Sequence, residues 1–145
     1  MKYAIVGAVS IAALATTGCG GSTSSTHYSK PALVACLRQH GVVTRDVISH
    51  PATRFDRKVA RLLAPIDPNF IGAKFPSGEF VGIAFAADSS GAGRVLKEFQ
   101  KLAKSPGAGP GKIAQKGSIV VLTRPHVTAG LQNTLDKCES SAVTQ

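Results

Sequence analysis

The chain has no tryptophan, one methionine and 6% aromatic residues in 145, with eight acidic side chains against 17 basic ones. So few rings leave little to stack on unpaired bases, which argues against single-stranded nucleic-acid recognition. At 17% charged residues the chain is too poor in charge for a coiled coil, and at 43% hydrophobic it is too apolar for disorder. Its length allows one domain of ordinary size and excludes a multi-domain enzyme or a polytopic membrane protein.

Chemical signatures are also missing. The four histidines, His27, His40, His50 and His126, show no paired metal-ligand spacing, so the sequence points to no metal site. There is no G-x-S-x-G elbow, and the acids are scattered rather than paired as glycoside hydrolysis needs. Asp67, Glu79 and Asp88 flank expected strands and are the acids best placed to converge, although turns and strand ends favour such residues anyway. The stretch from Ser105 to Ile113 looks superficially like a phosphate loop. Pro106 stands where its first glycine belongs, and Ile113 replaces the hydroxyl residue that would hold Mg²⁺. No cofactor and no catalytic residue is therefore expected.

What is present begins at the N-terminus. Lys2 is followed by a 12-residue apolar run from Tyr3 to Leu14, then by the small residues Ala15-Thr16-Thr17-Gly18. A charged start, a short apolar stretch and a small-residue cleavage region make a secretory signal over residues 1–18. The run is shorter than the roughly 20 residues of a permanent membrane helix. Gly18-Cys19, with Gly20 to Thr26 behind it, resembles the processing site of bacterial lipoproteins. The resemblance implies that Cys19 carries a diacylglyceryl group as the mature N-terminus, with residues 19–28 as a lipidated cysteine and flexible tether. Thr16 departs from the usual leucine three places before the cysteine. Ordinary cleavage after Ala13-Leu14-Ala15, which would leave Cys19 a free thiol on a secreted protein, stays open. The expected location is export and anchoring at the outer face of the cytoplasmic membrane. Loss of Lys2 with the leader lowers the formal charge from +9 to +8.

Two cysteines remain, an even count in an exported chain, so a Cys36–Cys138 disulfide is the default and two buried thiols the alternative. Ser29 can cap a helix with Pro31 in its first turn, and Leu33, Cys36 and Leu37 share one face of it. Val127, Leu131, Leu135 and Cys138 do the same near the C-terminus.

Between them, Thr53–Leu63 reads as an amphipathic helix with Phe55, Val59, Leu62 and Leu63 as its apolar positions. Asn69–Phe75 and Glu79–Ala87 read as a hairpin. In its second strand Val81, Ile83 and Phe85 alternate with Phe80, Gly82, Ala84 and Ala86, small enough beyond Phe80 for a close approach. Ser89 or Ser90 can cap a helix running to Lys104, and Lys112–Lys116 with Ser118–Arg124 forms a second hairpin.

The predicted fold is α/β of the α+β kind: a two-layer sandwich, with a four-stranded, mostly antiparallel sheet in ββαββα order. The helices pack on one face, and additional N-terminal helices join them. The single domain is expected over 29–139, with 140–145 a tail. Cys36-Leu37 in a first helix and Cys138 at the end of the last resemble small exported lipoproteins of high-GC Gram-positive bacteria, which implies location more than activity.

The surplus of positive charge is the remaining signal. Arg54, Arg57, Lys58 and Arg61 crowd one helix, and Lys97, Lys101 and Lys104 line another. They are candidates for binding an anionic lipid surface or wall polymer. The functional expectation is a lipid-anchored envelope domain that binds a protein or an anionic polymer without catalysis. The alternative is a small extracytoplasmic enzyme or an enzyme inhibitor.

Overall fold

The computed structural model describes residues 26–66, 69–106 and 111–144. The expected leader, Cys19 and Asp67 lie outside them. In chain order the elements are β1 (His27–Tyr28), α1 (Lys30–Gln39), β2 (Val43–Asp46), α2 (Arg54–Leu63), β3 (Asn69–Lys74) and β4 (Phe80–Phe85). There follow α3 (Ser89–Ala103), β5 (Lys112–Lys116), β6 (Ile119–Thr123), α4 (Ala129–Ala142) and β7 (Val143–Thr144).

Each helix starts at a side chain that satisfies its first free N–H groups. The Ser29 hydroxyl accepts from Ala32 N–H at 3.3 Å. At α2, Thr53 Oγ1 accepts from Asp56 N–H, while the Asp56 carboxylate accepts from Thr53 N–H, both at 3.0 Å; this is a capping box. Thr128 caps α4. At α3 the expected cap, Ser89 or Ser90, is replaced by Asp88, whose carboxylate accepts from Gly91 N–H at 2.7 Å. Asp88 is the last extended residue before the helix, so its side chain is the one that reaches the first turn.

The sheet is antiparallel throughout, in the order β2-β3-β4-β6-β5, and β1 pairs with β7 in a separate two-stranded ribbon. The expected four strands become five. β2 escapes sequence reading because Val-Thr-Arg-Asp has no alternating apolar pattern; it is held by its register, Val43 to Asp46 opposite Lys74 to Ile71.

The two-layer expectation also fails, because helices cover both faces of the sheet. On one face α1 and α4 bring Leu33, Leu37, Leu131 and Leu135 onto Val81, Ile83 and Phe85. On the other, α2 and α3 bring Val59, Leu63, Val95 and Phe99 onto Phe70, Ala84 and Val120. The reason lies in the central strands: consecutive Ile119, Val120 and Val121 of β6 are all buried, and a strand apolar in both parities must be covered twice.

Cys36 and Cys138 form a disulfide with a Cα–Cα separation of 5.4 Å, joining α1 to α4. The ordered domain exceeds the 29–139 boundaries. His27–Tyr28 and Val143–Thr144, assigned to the tether and the tail, are paired strands, and Ser118 N–H donates to the Thr26 carbonyl at 2.9 Å. That contact explains Gly117, which has a φ of 52° and whose Cβ, if present, would lie 2.1 Å from the Thr26 carbonyl oxygen.

Candidate functional site

The helix α2 is sorted by burial. Asp56, Val59 and Leu63 face inward, at spacings of three and four, whereas Arg54, Arg57, Lys58 and Arg61 are exposed. These four cations line one surface recess together with Phe55 and Pro106.

Among the described residues, no carboxylate pairs with them. Asp56, the one acid of α2, accepts from Arg45 at 2.8 Å and from the N–H groups of Ala52 and Thr53. Burial pushes its carboxyl up, but the Arg45 guanidinium and the two amides outweigh burial and hold it below the usual range.

The other acids among the described residues are engaged elsewhere. Asp46 binds Lys30, and Glu98 binds Lys101. Glu79 accepts from Ser77 and Thr128, and Asp88 caps α3. Asp136 and Glu139 share Lys116. Among the described residues, none of the four cations of the recess has a carboxylate partner.

A second recess, of about 470 Å³, opens on the α2–α3 face of the sheet. Across its floor Ile113, Leu122 and Gly82 lie side by side in register on β5, β6 and β4. Gly82 is required by a close approach: a Cβ there would lie 2.8 Å from Phe70 Cζ. Thus the small residues of β4 admit the Phe70 ring, which itself packs against Phe99 at 5.6 Å between centroids.

The end of α3, at Leu102 and Ala103, forms one wall. Phe55 and Phe80 stand at the rim, 53% and 58% exposed. Sequence reading put Phe55 on the buried stripe of its helix; its place in the first turn instead leaves it at the mouth. The rim is otherwise basic, with Lys112 and Arg124 lining the cleft and Lys74 lying 5.7 Å from the centroid of the Phe80 ring. Phe55 lines both recesses, so the basic face and the aromatic cleft adjoin at that side chain.

The other predicted residues are distributed differently. Lys97 and Lys101 on α3 and Lys104 at its C-cap are exposed but do not line the basic recess, and Lys101 is paired with Glu98 at 2.8 Å. Glu79 and Asp88 lie at opposite ends of β4, so the convergence considered for them does not occur. Lys112, Arg124 and the exposure of Phe80 were not flagged by sequence, since membership of a cleft depends on neighbours from several elements.

One cluster the sequence reading passed over joins His40 to the disulfide: the ligand atoms of Cys36, His40 and Cys138 lie within 4.8 Å of one another. Its visible signal is the spacing of four between Cys36 and His40 on one helix. With the two sulfurs bonded to each other, no thiolate is available for a metal.

The described residues therefore present a basic surface without carboxylate partners, adjoining an aromatic cleft at Phe55. Comparison with protein-family models, curated proteins and solved structures gives no match for it.

Proposed function

We propose that the protein is a lipid-anchored, extracytoplasmic envelope domain, held at the outer face of the cytoplasmic membrane by Cys19, that binds an anionic surface through α2. The observation that carries this reading is the recess of Arg54, Arg57, Lys58 and Arg61, lined by no carboxylate among the described residues. Each basic residue near an anionic membrane contributes about 1 kcal/mol, so four on one helix suffice for reversible attachment, and salt screens it. A lipid anchor multiplies such weak binding by confining the domain to the surface. Among the described residues, the lining of neither recess supplies a carboxylate or a histidine, the groups an enzymatic alternative would use for proton transfer.

Binding is tested by flotation of the purified protein with vesicles rich in phosphatidylglycerol. Attachment should fall steeply between low and high salt, and Arg57→Glu with Arg61→Glu should abolish it at low salt. Wild-type protein that fails to float at low salt refutes the basic-face reading. The anchor is tested separately in growing cells by labelled fatty acid, which should mark the wild-type chain and not Cys19→Ala. Equal labelling of both excludes Cys19 as the acylated residue.

A further inference from the structure

We infer that the phenylalanine cleft is an acyl-chain site, and that the protein's ligand is an amphiphile: a single hydrocarbon chain in the cleft and an anionic headgroup on α2. This rests on the basic-face reading and adds to it the class of molecule bound.

Two observations combine. The first is apolar surface left open. Phe70 and Phe99 form the buried wall, whereas Phe55 and Phe80 are more than half exposed at the mouth. Large exposed apolar side chains that converge on one concavity mark a binding surface rather than ordinary scatter. Its volume, about 470 Å³, falls in the range of small-molecule sites, about 300–1,000 Å³.

The second is charge complementarity. Lys112 and Arg124 line the cleft, and at Phe55 it adjoins the recess of the α2 cations; among the described residues no acidic side chain lines either. A wholly polar polymer would use the cations and leave the rings wet. A wholly apolar ligand would gain nothing from the cations. An anionic headgroup joined to a hydrocarbon chain satisfies both surfaces at once, with the junction at Phe55.

The geometry also decides how the chain lies. Gly82 and the Phe70 ring close the cleft from below, since the ring occupies the space a larger residue at 82 would take. The chain therefore lies along the sheet surface over Leu122 and Ile113, between the end of α3 and Phe80, rather than passing into the core.

The test is titration of the purified protein with lysophosphatidylglycerols of increasing chain length, each below its micelle concentration. Affinity should rise about fourfold per methylene, the transfer value for burying one. Phe80→Ala combined with Phe55→Ala, both exposed positions, should flatten this dependence while leaving thermal unfolding unchanged. Lysophosphatidylcholine of equal length should bind more weakly and lose its salt dependence.

An affinity independent of chain length, with salt-dependent vesicle binding retained, overturns the acyl-chain site and leaves the basic face standing. Chain-length dependence without any effect of headgroup charge or salt overturns the anionic assignment, and the basic-face reading with it. A dimer in solution that Phe80→Ala dissociates would show that a second copy covers the cleft, and overturns the proposal.

Discussion

Glu139 lies on the buried side of α4, 5% exposed, with one oxygen on Lys116 and the other, Oε1, without a hydrogen-bond partner among the described residues. Burial pushes its carboxyl above the ordinary 4.5; Lys116 pulls the other way, and Asp136, 3.6 Å from the same ammonium, adds to the rise. The native state thus binds a proton that the unfolded chain releases. Its stabilising contribution is complete below the unfolded value and is lost as pH rises through the raised folded value. Wild-type protein should lose denaturant resistance from pH 4.5 upward by this component, and Glu139→Gln, neutral in both states, should lose it less steeply. Parallel pH profiles for the two proteins in urea unfolding would refute the assignment.

Asp46 contributes in the opposite sense. Burial works against its charge, but hydrogen bonds from Ser49 and the Lys30 ammonium outweigh it and bring the carboxyl to about 2. Its contribution is present above the ordinary 3.8 and fades as pH falls toward that value of about 2. None of these pairings is legible in the sequence. Lys116 and Glu139 are 23 residues apart, and their meeting depends on α4 lying beside the last hairpin.

At the scale of elements, sequence reading works where a segment carries its own signal. The helices α1 to α4 are legible because each has apolar positions at helical spacing. Both hairpins were expected from short apolar runs around Gly78 and Gly117. β2 was not, because its backbone pairing with β3 owes nothing to its side-chain pattern. The two-sided sheet was misjudged for a related reason. In β4 the small residues Gly82 and Ala84 signal a close approach, and Phe70 from the neighbouring strand makes it with α3 packed above, but a strand pattern does not tell which elements cover that face. The α2 cations were visible as a basic helix. That they remain uncompensated follows only from where every described carboxylate finds its partner.

For the molecule as a whole, the Cys36–Cys138 bridge closes a covalent loop across 102 residues. It ties together the two helices of one layer, whose contact would otherwise rest on Leu33, Leu37, Leu131, Leu135 and their neighbours. In the chain-entropy model such a loop is worth about 4–5 kcal/mol, a large part of the stability of a small domain. Cys36→Ser with Cys138→Ser should therefore lower the urea midpoint strongly, and the wild type under reducing conditions should follow it. An unchanged midpoint would mean that packing alone holds the α1–α4 layer.

The sequence by itself determined whatever is local or counted: helical segments and their apolar stripes, the basic character of α2, and an even pair of cysteines once Cys19 is set aside. The tertiary structure decided what depends on distant residues meeting. It added β2 to the sheet, covered both faces, and drew the acids into caps and ion pairs. It also brought Phe55, Phe70, Phe80 and Phe99, from four different elements, around one cleft. Periodicity and capping act within a few residues of chain, whereas a cleft and its field are sums over groups that only the packed fold places together.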